Sequence, residues 1–281
     1  MLEYGHRETC TIVAETSPQG HPVIDTHCHL TSTQFAGRID DVLFAARVAG
    51  VGGVITVGTT SGDCLAAQDL ATRYANVWCT AGVHPLSADE PREWSMIGKV
   101  AEHPRCVAWG ELGLDHHYTD PPAALQRTLL DEQLAFIESR AESIGPRPII
   151  VHCREAFDNL LGAFEKAPFP HDKYVFHCFT GTPDDARRVL DFGAWISFTG
   201  VVTFANAPEV AEAAKLVPAD RLMVETDAPF LSPEPVRNER PNEPKHVVHV
   251  ARRLAELRGA EYEDLERQLD ANAERFFGIE L

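Results

Sequence analysis

From Val23 onward the sequence alternates short apolar, often β-branched runs with amphipathic stretches, eight of each, and this repeat constrains the fold more than any other feature. The strand candidates are Val23 to Thr26, Gly53 to Gly58, Val77 to Val83, Cys106 to Leu112, Pro148 to Cys153, Tyr174 to Phe179, Ala194 to Thr199 and Leu222 to Thr226. Apolar on both faces and spaced by helical lengths, they suit a parallel sheet covered by helices. The intervening helices are expected over Arg38 to Ala49, Asp63 to Tyr74, Glu90 to Glu102, Ala123 to Ser143, Ala156 to Lys166, Pro183 to Phe192, Pro208 to Leu216 and Pro244 to Arg258. Thr182-Pro183-Asp184-Asp185 carries the start signals of such a helix: a hydroxyl cap, proline at the first helical position and two acids against the dipole. A further helix is expected over Tyr262 to Phe277.

Eight βα units in about 250 residues match a closed (β/α)8 TIM barrel, although the same periodicity is found in an open doubly wound sheet. The positions of the polar residues separate the two, because barrel enzymes gather their active groups at the C-terminal strand ends. Here those ends carry Asp25-Thr26-His27-Cys28-His29, Gly110-Glu111-Leu112-Gly113, Val151-His152-Cys153-Arg154, Phe176-His177-Cys178 and Glu225-Thr226-Asp227. The reading is an α/β TIM barrel, a single domain over residues 23–281. Residues 1–22 form an N-terminal extension, either a loose arm or a cover for one end, and the last helix is an addition at the C-terminus.

His27 and His29 stand two residues apart and so share a strand face, close enough to grip one cation. With Glu111, His152, His177 and Asp227 they make six groups converging on one mouth, more than the three or four ligands that one zinc-like ion needs. Two metals sharing a carboxylate fit better. Glu111 is the natural bridge: a carboxylate has two oxygens, and this one is embedded in apolar neighbours where an unpaired charge is costly. Asp227 could bind one metal and also take the proton of an attacking water. Glu225 shares its face but lies deeper, as a partner for a ligand imidazole. His84 and Arg154 read as substrate contacts, since a guanidinium on the His152 face suits a pair of phosphate oxygens. Cys28, Cys153 and Cys178 follow histidines and point the other way, as packing residues.

The net charge is −17, from 42 acidic against 25 basic residues. It opposes broad attraction to membrane surfaces or nucleic-acid phosphates, so a phosphate-bearing substrate needs bound cations to meet it. Seven cysteines, an odd number with no C-x2-C pair, point to a reducing compartment. No window is apolar enough for a membrane span, and Glu3, Arg7, Glu8 and Glu15 interrupt any signal-peptide core. A cytoplasmic protein without a membrane partner is expected.

The ordered motifs D-T-H-C-H-L, G-V-H-P, G-E-L-G-L-D, I-V-H-C-R-E, H-C-F-T-G, E-T-D-A-P-F-L and N-E-P resemble those of TatD-type metal-dependent deoxyribonucleases, from about Val23 to Phe277. The resemblance implies a (β/α)8 barrel with a divalent, usually two-metal, centre that hydrolyses phosphodiester bonds of DNA. His27, His29, Glu111 and Asp227 would hold one ion, and Glu111, His152 and His177 the other. Two departures stand out. The segment Pro235-Val236-Arg237-Asn238-Glu239-Arg240-Pro241-Asn242 is a residue longer than the family's, leaving either Arg237 or Arg240 to meet phosphate, and Glu155 replaces the usual Asp after His-x-Arg.

Metal-assisted phosphodiester hydrolysis is therefore expected, with two divalent ions (Mg, Mn or Zn) and with single-stranded DNA ends as the partner. With no aromatic and basic stripe along a groove, an exonuclease is favoured over a sequence-specific cutter, and with the resemblance the expected direction is 3′-5′. One alternative is an amidohydrolase-type esterase or deacylase, such as a D-aminoacyl-tRNA deacylase. None of the five lysines, however, falls at a strand's C-terminal end to serve as a bridging carbamate. The other is an inactive barrel scaffold, against which the complete ligand set argues.

Overall fold

Each repeat of apolar run and amphipathic stretch becomes one strand and one helix. A computed structural model describes residues 22–281, so the expected extension over residues 1–22 lies, apart from Pro22, outside the described residues. Eight strands form: β1 (Val23–Cys28), β2 (Val51–Thr56), β3 (Val77–Ala81), β4 (Cys106–Asp115), β5 (Ile149–Arg154), β6 (Tyr174–Phe176), β7 (Trp195–Phe198) and β8 (Leu222–Val224). Each pairs in parallel with the next in sequence. A doubly wound sheet would reverse its strand order partway, so the structure is the barrel.

The helices are α1 (Ile39–Val48), α2 (Ser61–Arg73), α3 (Trp94–Glu102), α4 (Ala123–Ile144), α5 (Phe157–Phe164), α6 (Pro183–Phe192), α7 (Pro208–Leu216), α8 (Val247–Arg258) and α9 (Tyr262–Phe277). Helix α6 begins with the expected device, a reciprocal capping box between Thr182 and Asp185 with Pro183 inside it. Helix α3 starts four residues later than the sequence suggests. The segment ahead of it is drawn out, with the Glu93 N–H donating to Ser61 Oγ at 2.9 Å. Residues Pro244–His246 form a 3-10 turn before α8 rather than its first turn.

Two apolar cores result. The outer one lies between the sheet and the helices, including Leu265 and Leu269 of α9, and contains Cys28 and Cys153, which the sequence assigns to packing. The inner one takes at least one residue from each strand, Ile24, Ile55, Trp78, Val107 and Ala108, Ile150, Val175, Trp195 and Met223, with Val57 just after β2. Ala273, Phe276, Phe277 and Ile279 complete it. Helix α9 thus stoppers the barrel at the end where the strands begin, with the Phe276 ring 5.1 Å from that of Trp195.

The seam between β8 and β1 is closed differently from the other seven joints. Only one bridge forms there, Cys28 with Ala228. The remaining links are the Asp227 N–H to His27 O at 2.9 Å, the His29 N–H to Ala228 O at 2.7 Å and several side-chain bonds. Asp25 accepts from the Thr226 N–H at 2.8 Å and from the Thr226 hydroxyl at 2.6 Å. Thr26 Oγ1 donates to Val224 O at 2.8 Å. Carboxylate and hydroxyl groups thus tie together the two strand ends that carry His27 and Asp227.

Asp270 on α9 anchors the stopper to β1 by accepting the Ile24 N–H at 3.0 Å, while its second oxygen is buried without a partner. Burial chiefly, aided by Glu266 and Glu274, pushes its pKa from 3.8 up to about 8 against the Ile24 hydrogen bond. A carboxyl whose folded pKa is raised contributes stability that is complete below about pH 4 and is lost as pH rises through about 8. Unfolding free energy is therefore expected to fall by the order of a few kcal/mol across that window. In Asp270→Asn, which keeps the acceptor and cannot ionise, the decline should be visibly flatter in urea titrations from pH 4 to 9. Parallel curves for the two proteins would show that Asp270 does not control it.

Candidate metal centre

Glu111 lies midway along β4, where the ladder to β5 shifts register between Trp109 and Leu112. Gly110 beside it has φ +123°, and a Cβ there would lie 2.6 Å from Ile150 O, so the local path requires glycine. The Glu111 side chain is buried in the middle of five imidazoles, and its two oxygens face different sets. Oε1 lies 3.5 Å from both His27 Nε2 and His29 Nε2. Oε2 lies 2.7 Å from His177 Nε2, 3.3 Å from His152 Nδ1 and 3.8 Å from His84 Nε2. Asp227 joins the first set, with Oδ1 3.2 Å from His29 Nε2 and 3.7 Å from His27 Nε2. All six residues expected to hold metal are thus brought together.

Two observations test whether a cation fits. His27 is fully buried, and neither of its ring nitrogens has a hydrogen-bond partner among the described residues, although Nε2 is aimed between two carboxylates. A buried polar atom left in this way is costly unless something else satisfies it. The four atoms around Oε1 are 3.2 to 3.7 Å apart along the measured pairs. Ligands about 2.1 Å from a tetrahedral ion stand about 3.4 Å from each other. The donor set fits a divalent metal.

Hydrogen bonds at the far side of the rings set which nitrogen faces the centre. His29 Nδ1 donates to Val57 O at 3.2 Å, which turns Nε2 toward Glu111 and Asp227. Burial opposes a charge on this ring, but the Asp227 hydrogen bond and Glu111 raise its pKa to about 9, so a bound cation would take the place of the Nε2 proton. His177 Nδ1 meets Glu225 Oε1 at 3.3 Å, and Glu225 is itself held by the Cys178 N–H at 2.6 Å and the Ser197 hydroxyl at 2.7 Å. Glu225 therefore sits where the sequence puts it, behind a candidate ligand imidazole. His152 presents Nδ1 to the centre and turns Nε2 to Asp115 Oδ2 at 3.1 Å.

His84 differs. Its Nε2 is grouped with Glu111 and His152 at metal-like spacing, but its Nδ1 accepts the Leu86 N–H at 3.0 Å. Burial, then the neighbouring His152, lowers its pKa to about 3, so the ring is neutral and its proton is on Nε2. That proton points to His152 Nδ1 at 3.0 Å, so His84 stands in the centre as a donor rather than as a lone pair for a metal.

The electrostatics match this arrangement. Burial opposes ionisation of Glu111, yet the surrounding imidazoles, His177 foremost, outweigh it and hold the carboxyl well below the usual range. Burial likewise opposes the Asp227 carboxylate, and His29 and His27 overcome it. Asp227 is also held in the left-handed region, φ +54°, an uncommon conformation for a non-glycine residue and one that clusters at functional sites.

Of the other expected contacts, Arg154 lies beside the centre with its guanidinium 5.2 Å over the Tyr118 ring. The ion pair that could have occupied it is absent among the described residues. Arg237 packs 3.4 Å over the Phe204 ring and donates to Ser232 O at 3.4 Å, so it is engaged in its own loop. Arg240 is exposed and has no side-chain partner among the described residues.

Asp115 is the functional residue that the sequence reading missed. With the strand taken to end at Leu112, Asp115 fell into a turn, whereas β4 runs ten residues and carries it buried to the strand's end. The signal was its spacing: Glu111, Gly113 and Asp115 alternate onto one strand face.

Comparisons with known proteins agree with the geometry. Residues 24–278 match the family model described as TatD related DNase. The chain is 37% identical over 269 residues to the 3′-5′ ssDNA/RNA exonuclease TatD of Klebsiella pneumoniae, covering 92% of this chain and 99% of that one. It is 33% identical over 259 residues to the metal-dependent hydrolase YabD of Bacillus subtilis, with the same coverage. Among solved structures, the TatD homologue YjjV of Escherichia coli superposes with a TM-score of 0.84 at 29% identity, over 92% of this chain and 98% of that one.

Asp115→Asn tests the role of the missed residue. The amide N–H would donate to His152 Nε2 and drive the ring proton onto Nδ1, the nitrogen that faces the centre. Divalent-cation affinity of chelator-stripped protein, measured by calorimetric titration, should fall by about 10- to 100-fold. Unchanged affinity would make Asp115 a loop anchor only.

Proposed function

The chain belongs to the TatD-related DNase family, and from that membership we propose that it is a metal-dependent hydrolase that removes nucleotides from single-stranded DNA ends in the 3′-5′ direction. The observation that carries this reading is the divided Glu111 carboxylate, with one oxygen toward His27, His29 and Asp227 and the other toward His152 and His177. Such a division supports two divalent ions, Mg, Mn or Zn, one held on each side of Glu111. When bound, they supply Lewis acidity to the phosphate and to the attacking water.

The chain's own groups do the rest. Asp227, kept ionised by His29 and His27 and fixed by its backbone bond to His27 O, accepts the proton of the attacking water at a carboxylate oxygen. Glu225 and Asp115 hold the rings of His177 and His152 with their inner nitrogens turned to the centre, where a bound cation would meet them. His84 Nε2–H, which meets His152 Nδ1 at 3.0 Å, would then be released to donate to a phosphate oxygen, and Arg154, half-buried beside His152, meets another. Of the two remaining arginines, Arg240 is the one free to reach along the strand, since Arg237 is engaged with Phe204. An acidic protein can in this way hold a polyanion through a few local contacts, which suits removal from an end rather than tracking of a duplex. An odd cysteine count, with every described cysteine free, supports work in the reducing cytoplasm.

Protein stripped with EDTA should leave 3′- and 5′-labelled single-stranded DNA intact and should regain cleavage with Mg, Mn or Zn, with elemental analysis finding up to two ions per chain. Full activity in excess chelator after long dialysis would exclude the reading. Asp227→Asn should cut turnover by roughly 100-fold or more while folding is retained. Near-normal turnover with metal content unchanged would remove Asp227 from the chemistry.

A further inference from the structure

Exposed aromatic side chains are costly to leave in water, and among the described residues three stand out: Phe44, Tyr118 and Phe230. Phe44 is on the outer helix α1, but the other two are at the mouth. Tyr118, 49% exposed, follows β4, and Phe230, 53% exposed, follows β8. In a ring of eight strands taken in order, β4 and β8 are diametrically opposite, and the two rings stand against different edges of the centre, Phe230 against His29 and Tyr118 against Arg154.

Both are held by the centre itself. The Phe230 N–H donates to Asp227 O at 2.9 Å, its carbonyl accepts from the Asn242 side chain at 2.5 Å, and its ring lies 6.3 Å from that of His29. The Tyr118 N–H donates to Asp115 Oδ1 at 3.2 Å, the same carboxylate that orients His152. Arg154 covers part of the Tyr118 ring, and His117 meets it edge-on at 5.0 Å. Each aromatic is therefore one hydrogen bond removed from a group that shapes the centre, with its backbone fixed and its ring turned to solvent.

We propose that Phe230 and Tyr118 are stacking platforms for the unpaired nucleobases on the two sides of the scissile phosphate, with Arg154 extending the Tyr118 platform. This rests on the nuclease reading and deepens it. Nucleobases present a π-face whatever their identity, so two such platforms select for unpaired bases without selecting sequence. A base still paired in a duplex cannot turn onto either ring without being unstacked. The platforms take the place of the long basic groove that this acidic protein lacks.

The test uses full-length, metal-loaded protein and three labelled single-stranded oligonucleotides: one intact, one abasic at the terminal nucleotide, and one abasic at the next. For the wild type, each missing base should lower kcat/KM by about 5- to 100-fold. Phe230→Ala and Tyr118→Ala should each lose a similar factor on the intact strand and show no further loss on the abasic strand whose base that platform served. Phe230→Trp and Tyr118→Phe should recover most of it. The inference is overturned if both alanine variants stay within about twofold of wild type on the intact strand, or if both abasic penalties persist unchanged in them. Failure of the metal-loaded wild type to cleave any of the three strands would instead overturn the nuclease reading itself.

Discussion

An ionised carboxylate in a protein interior is tolerable only if positive charge or several donors surround it, and the arrangement around Glu111 follows from that requirement. Its oxygens are shared among imidazoles from the ends of β1, β5 and β6 and from the segment after β3, so one side chain demands agreement in the positions of four separate strand ends. Imidazoles suit this better than lysines or arginines. Each can serve as donor or lone pair according to what its far nitrogen touches, and Val57 O, Asp115, Glu225 and the Leu86 N–H settle that choice ring by ring.

The barrel is built to keep those ends in register. The seam between β8 and β1, the one joint without a ladder, is where His27 and Asp227 must meet, and Asp25 with Thr226 closes it by side-chain bonds shorter than most of the backbone links nearby. With only one bridge and two backbone bonds across it, the seam lets Asp227 take its left-handed turn, which an uninterrupted ladder would forbid.

Much of this was legible in the sequence because periodicity and strand-end chemistry carry separate information. The eight apolar runs report strands buried on both faces, and the histidines and acids that terminate five of them report the mouth. Less legible was anything decided by strand length. The slip at Gly110 and the extension of β4 to Asp115 come from contacts with β5, which lies some forty residues away in sequence (about 40) and is invisible to a local pattern. The tautomer of His84 depends on a single backbone N–H, and the parting of Arg237 from Arg240 depends on where Phe204 lands. Tertiary packing settles both.

The stopper helix has a consequence for how the molecule is made. The Ile24 N–H on β1 finds its acceptor on α9, 246 residues away, and Phe276 and Phe277 seal the inner core. On the ribosome, β1 emerges long before the group that completes it, so each inner-core residue waits with its apolar face open until α9 arrives. Apolar surface left open in this way is what makes incomplete chains prone to aggregate, and here it lies at the end of the barrel opposite to the chemistry.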